Sequence, residues 1–208
     1  MSLLEDSWEQ REEKIYPELF GETGEGIYPL DASLFDNQFG ISDIDPRWLH
    51  YGVFKCAPTT DRKTWVYVTS GMSNPWESDE PQEYSGVGTE FVLETDEESD
   101  LAINILRSLI AFNILLSVDH YGDKPLVDYG DRIPMKIDPN VSSLIVVQPI
   151  LFPESFNLVS GKVDVMQVTG ITEKELEYAK ENGSKAIAHK LVESEGSFAL
   201  RPDRCDVV

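Results

Sequence analysis

Ser73 stands in WVYVTSGMSNP (Trp65 to Pro75), where an alternating run breaks into a Gly-Met-Ser turn. A serine nucleophile on such an elbow needs Gly-x-Ser-x-Gly, because the second glycine lets the following helix pack against the strand. Pro75 takes that place and acidic residues follow, so the sequence favours a turn serine bonded to local backbone. His50, His120 and His189 lie far apart, and none has a cysteine or carboxylate at metal-ligand spacing. His120 beside Asp119 is the one suggestive neighbour. A small hydrolase or ligand-binding enzyme using Ser73, His120 and one of Asp119, Asp123 or Asp128 therefore stands as the alternative function. It requires a pocket that brings Ser73 and His120 within hydrogen-bond reach.

Other chemistry finds less support. Asp128 and Asp131 in VDYGDRIPM miss the spacing of a calcium loop. The glycines of FGETGEG neither follow a strong strand nor open a helix with Lys-Ser or Lys-Thr, so they make no phosphate loop. The reading is a protein with no catalytic residue, no metal and no cofactor.

Charge is the strongest compositional signal: 17 Lys and Arg against 38 Asp and Glu leave a net charge of −21. A field of that sign repels polyphosphate, which excludes direct nucleic-acid binding. Acidic residues cluster in ESDEPQE (Glu77 to Glu83) and ETDEES (Glu94 to Ser99), on either side of one expected strand. Such patches keep a protein dispersed, and they also steer a cationic partner. The acidic start MSLLEDSWEQREEK has no apolar run behind it, and no window has about 18 uninterrupted apolar residues, so neither signal peptide nor membrane span is read. Cys56 and Cys205 are isolated, as suits a reducing compartment without structural disulfides, and the expected location is the cytoplasm.

The elements that would carry these residues are mixed. Leu4, Trp8 and Ile15 have near-helical spacing, which predicts a helix over 3–15 ended by Pro17. Residues 20–40 are read as irregular. RWLHYGVFKC and WVYVTS alternate around the turn cluster APTTDRKT, which predicts a β-hairpin over 48–70 with Trp65, Tyr67 and Thr69 on one face and Val66, Val68 and Ser70 on the other. GTEFVLE is a further strand, with Phe91 and Leu93 on one face and Glu90, Val92 and Glu94 on the other. Thr95 and Glu98 have capping-box spacing ahead of the apolar run Asp100 to Val118, read as a buried helix lying on a sheet. A polar loop follows, then strands in SSLIVVQPIL and KVDVMQVTG, helices from Thr172 to Asn182 and over 184–194, and a last strand in SFALRP. Without strict strand-helix alternation the fold class is α+β: a single domain with a mixed, mostly antiparallel sheet, packed by the long buried helix and shorter carboxy-terminal helices. Residues 1–39 form a helix and irregular lead-in, and 40–205 the core.

Five stretches, in order, resemble the Suppressor of fused domain family. WVYVTSGMS is similar to its strand ending in Gly-Met/Leu-Ser, and SGVGTEFVLE to its Ser-Gly-Phe-Gly-x-Glu element. LVDYGDRIPM, VMQVTGITEKELEYAKENG and FALRPDRCDVV resemble the segments that follow. Thr89, Glu94 and Glu181 depart from the family pattern. On this resemblance Gly71, Ser73, Gly86, Gly88, Glu90, Gly130, Asp131 and Gly170 are structural motif positions. Tyr67 matches a strand tyrosine near the partner peptide, and Asp79 falls near an acidic partner-contacting position, in the loop that carries Glu77, Glu80 and Glu83. The resemblance implies a non-enzymatic protein-binding module. Stand-alone bacterial copies, many beside toxin genes, look like immunity proteins. The acidic balance then points to a basic toxin as partner, with a structural interaction domain that has no toxin as a further alternative.

Overall fold

The computed structural model describes residues 2–24 and 26–208. Ser2 caps α1 (Leu3–Glu9): its hydroxyl accepts from the Glu5 amide while the Glu5 carboxylate accepts from the Ser2 amide. A π-helical turn, Gln10–Ile15, comes next, and the helix resumes as α2 (Tyr16–Phe20). Pro17 does not end it, contrary to the sequence reading. In the π turn the Tyr16 amide reaches back to the Arg11 carbonyl. That widens the ladder where the proline ring would otherwise meet a carbonyl one turn earlier.

Two further readings change in the amino-terminal third. Residues expected to be irregular hold β1 (Ile27–Pro29) and α3 (Ala32–Phe39), the latter capped by the Asp31 carboxylate and closed by Gly40. Pro46–His50 is a 3-10 turn, and β2 is confined to Gly52–Cys56. The hairpin itself stands: β3 (Trp65–Ser70) pairs antiparallel with β2. β4 (Tyr84–Thr95) and α4 (Asp100–Ser117) follow, although Ser99, not Thr95, caps α4 by accepting from the Ala102 amide. The Thr95 hydroxyl instead donates to the Glu97 carbonyl.

The polar loop after α4 contains an unforeseen strand, β5 (Arg132–Asp138), which is held by antiparallel pairing with β6 (Val141–Val147). β7 (Ser155–Leu158) was likewise not foreseen; it forms a tight antiparallel pair with the start of β8 (Gly161–Ile171). α5 (Glu173–Asn182) and α6 (Ser184–Glu195) complete the regular structure, and Thr172 with Glu175 forms the expected capping box. The foreseen last strand shrinks to one parallel bridge between Thr95 and Leu200.

Among the described residues the strands form an eight-stranded sheet in the order β1-β2-β3-β4-β8-β6-β5, with β7 also on β8. β4 and β8 run parallel and the other pairs antiparallel. The result is a single α+β domain, as the sequence implied.

Alternation explains the layers. Val53, Tyr67, Phe91, Leu93, Leu144, Val146, Met166 and Val168 face α4 in one core cluster. Phe54, Val66, Val68, Val92, Val163 and Val165 face the opposite way, against Tyr16 and Phe20 of the amino-terminal helix. Farther along that second face, Ile145, Val147 and Ile171 pack on Ala179, Ile187 and Leu191 of α5 and α6. Burying both faces offsets the large ordering entropy of the chain. By length and composition α4 could cross a bilayer, yet 67% of it lies buried in the fold, as befits a core helix. The sheet edges are blunt: β1 is three residues ending in Pro29, while β5 carries Pro134 and a register break after it. Cys56 is buried and Cys205 exposed, and both are free thiols.

Candidate binding cleft

Beyond Ser70 the chain turns at Gly71, whose φ is 127° and where a Cβ would lie 2.5 Å from the Tyr51 ring. Only glycine fits both the angle and the contact. The turn folds over Glu90, a fully buried carboxylate on β4. Glu90 accepts from the Thr69 hydroxyl (2.6 Å), the Gly71 amide (3.1 Å), the Ser73 amide (2.9 Å) and the Ser73 hydroxyl (2.6 Å). Four donors stabilise a buried charge that would otherwise be costly.

Arg11, presented by the π turn, is fully buried against the same loop. Its Nη1 donates to Ser73 Oγ (2.9 Å) and Asn74 Oδ1 (2.8 Å), and its Nη2 to Glu12 (2.9 Å). Burial acts to lower the Arg11 pKa, but the fields of Tyr16, Glu90 and Glu12 outweigh it and the net shift is upward. Trp8 adds an indole N–H to Asn74 Oδ1 at 2.6 Å, and the Tyr16 hydroxyl donates to the Thr69 carbonyl at 2.5 Å.

On the outer side of this loop opens a cleft of about 460 Å³. Trp48, Trp76, Tyr84, Val87 and Val118 give it an apolar lining, and Asn74 lies at its base. The Trp76 ring meets Trp8 edge-on at 6.0 Å and tilts against His50 at 6.1 Å. Its indole N–H faces the Tyr51 hydroxyl without completing a hydrogen bond, and Asn74 Nδ2 is also without a partner. Burial raises the Tyr51 pKa to about 12, so this hydroxyl stays protonated. Gly86 closes the back of the loop at φ 57°, where a Cβ would lie 2.4 Å from the Asn74 carbonyl.

One wall of the cleft is the foreseen acidic loop. Glu77 lines it and shares Arg47 with Asp45, each pair at 2.6 Å. Asp79, Glu80 and Glu83 follow, all exposed. Tyr67 is not there. It is completely buried beneath α4, and its hydroxyl accepts from the Ser99 amide at 2.6 Å. Facing α4, Tyr67 supports the start of that helix and offers no exposed surface to the cleft, unlike the position that the resemblance implies.

The remaining flagged positions are turns and close approaches. Gly88 lies against the Tyr84 ring, and Gly170 on β8 packs under Val141 and Leu200. Asp131 accepts from the Asp128 amide, and Asp128 from the Tyr129 amide, so both carboxylates serve a turn that Gly130 shares by accepting from the Ser184 hydroxyl.

Nor does a hydrolase site assemble around Ser73. Its hydroxyl is spent between Glu90 and Arg11, whereas exposed His120 packs edge-on against Tyr121 at 4.8 Å, past the end of α4. His189 sits on α6 beside a larger groove of about 710 Å³, which touches none of the acidic loop. Arg11, Trp48 and Trp76 are not among the sequence candidates, and Trp8 enters there only through its helical spacing; an arginine and a tryptophan about one turn apart on an amphipathic helix were the signal available.

A sheet buried on both faces thus carries an open aromatic cleft beside an acidic loop. Residues 47–205 match the family model described as Suppressor of fused protein (SUFU), and the chain belongs to that family. Among solved structures it is similar to a chain of the Sufu-Fu complex, with 17% identity and a TM-score of 0.60 over 85% of this chain and 88% of that one. Drosophila Suppressor of Fused gives 17% identity and a TM-score of 0.61, with 85% of this chain spanning 49% of that one. A putative SUFU homologue from Neisseria gonorrhoeae gives 18% and 0.56, over 76% and 78% of the two chains. A search of curated proteins returns no match.

Proposed function

We propose that this protein is a cytoplasmic, non-enzymatic binding module that holds a basic, extended segment of a partner protein in the cleft between Trp48, Trp76 and Tyr84. The carrying observation is the juxtaposition of that aromatic lining with the exposed run from Glu77 to Glu83. Aromatic rings offer large, rigid contact area at low entropic cost, and carboxylates on the rim raise the association rate of a cation. Blunt sheet edges favour docking in a cleft over addition of a strand. The finer reading is immunity: the partner is a basic toxin, neutralised through the acidic surface. The net charge of −21 supports it.

Selection of random peptides of about a dozen residues on the immobilised chain tests the coarse reading. Enrichment of Lys- and Arg-bearing sequences whose binding weakens with salt is expected. Failure to enrich any sequence, or enrichment of acidic ones, overturns it. For the finer reading, a pull-down from the native host at low and high salt should return a basic protein, and an acidic, salt-insensitive partner refutes immunity.

A further inference from the structure

We infer that Arg11 and Trp8 are positioning residues for the cleft, so that the amino-terminal helix, which lies outside residues 47–205 matched by the family model, is a working part of the binding site. The inference rests on the cleft reading above and adds to it a contribution from outside the matched residues.

Asn74 carries the argument. It is 2% exposed and lines the cleft, yet its side-chain oxygen belongs to the helix, accepting from Trp8 Nε1 at 2.6 Å and from Arg11 Nη1 at 2.8 Å. With the oxygen held on that side, the unpartnered Nδ2 is turned away from both donors. Trp8 also braces the Trp76 ring, one of the two tryptophans lining the cleft, through its edge-on contact. Arg11 reaches the loop's second anchor as well, donating to the Ser73 hydroxyl that is itself bonded to Glu90.

The helix geometry fits this task. A π turn is costly and tends to persist where it serves a site, and here it presents Arg11, flanked by buried Tyr16, to the loop. Ser7 repeats the tie one turn earlier through Ser160, whose hydroxyl meets that of Ser85, and Ser85 donates to the Ser73 carbonyl. Trp8 and Arg11 thus bond directly to Ser73 and Asn74, and Ser7 reaches the same loop through Ser160 and Ser85, while Gln10, Glu12 and Tyr16 tie the helix to Val159, Ser70 and Thr69. Undocking the helix would free Asn74 and Trp76 together, and an occupied cleft must in turn hold the helix down, since linkage is reciprocal.

Hydrogen exchange on the full chain, with and without a peptide from the selection above, tests this. In Arg11→Met, the amides of Asn74, Trp76 and Val87 should exchange about tenfold faster or more, the loss expected for a charge-assisted bond, while amides of α5 and α6 keep the wild-type rate. The Trp76 indole N–H resonance should move with them. Arg11→Lys should recover part of the protection, and peptide affinity should fall about tenfold in Arg11→Met and in Trp8→Ala. Uniform acceleration across the whole chain would mean a merely structural role and overturn the inference, as would wild-type affinity in both variants. If no peptide is enriched, the binding reading fails by itself, and the selective exchange pattern still decides whether the helix sets the loop.

Discussion

Ser73 Oγ lies 2.6 Å from Glu90 Oε1 and 2.9 Å from Arg11 Nη1, so one hydroxyl joins a buried carboxylate on β4 to a buried guanidinium on the amino-terminal helix. A nucleophile would need that proton free for a base. Ser73→Ala should therefore lower the unfolding free energy by about 1–3 kcal/mol in urea titrations, because it removes a partner from both charges. A fluorophosphonate should leave the native protein unlabelled, and stoichiometric labelling of Ser73 would contradict the assignment.

Charge reversal in the acidic loop separates binding from folding. Glu77, Asp79, Glu80 and Glu83 are exposed, and among the described residues only the first has an ion pair, with Arg47. Replacing all four by lysine should slow association of a basic peptide by an order of magnitude or more at low salt and flatten its salt dependence. The melting temperature should hardly change, since exposed pairs are worth about 0–1 kcal/mol. Surface plasmon resonance and thermal melts read the two effects separately.

Tyr67→Phe is expected to act the other way. It removes the acceptor of the Ser99 amide at the start of α4. A loss of about 1 kcal/mol in stability with unchanged peptide affinity is expected, and an affinity loss without destabilisation would return Tyr67 to the interface.

Acid should probe the carboxy-terminal tie. Glu175 is buried and accepts a two-pronged bond from Arg204, with one arm at 2.6 Å. Burial acts to raise its pKa, but the Arg204 bond and the Thr172 and Val207 amides outweigh it, and the pKa falls below its ordinary 4.5. A lowered carboxyl pKa stabilises the fold above the unfolded value, and that contribution fades as the pH drops through the folded one. Glu175→Gln should thus be less stable than wild type at neutral pH, and the gap should close below about pH 4.5. A gap that is constant down to pH 3 would argue against the pairing.

Thiol chemistry offers a simple check on burial. Cys56 is sealed in the second core cluster, where burial lifts its pKa to about 12, whereas Cys205 is exposed. A disulfide reagent should titrate one thiol in the native protein and two in denaturant.

Much of the fold was legible where one local rule dominated. Alternation separated Tyr67 from Val66 and Val68 within one strand and Leu93 from Val92 within another, and Thr172 with Glu175 announced α5. The partner expectation for Tyr67 rests on the resemblance, and alternation by itself does not tell which face a helix covers. β5 and β7 have weak patterns of their own and exist because β6 and β8 supply partners. Arg11 followed by Glu12, Glu13 and Lys14 reads as a solvated helix face. Its burial depends on Ser73 and Asn74, 62 and 63 residues away, and no local pattern encodes such a meeting. The cleft has the same origin, because Trp48 and Trp76 are 28 residues apart in sequence and line it together through a loop anchored on Glu90.

The parallel seam between β4 and β8 also sets a timetable. Thr89 and Asp164 are register partners 75 residues apart, and both strands lie inside the sheet. A chain emerging from the ribosome can close the β2-β3-β4 meander early, but β4 must keep its other edge bare until β8 has been made. Folding should therefore be slow for a domain of this size, and the growing chain, with Phe91 to Leu93 unpaired on that edge, is the form most in need of a chaperone.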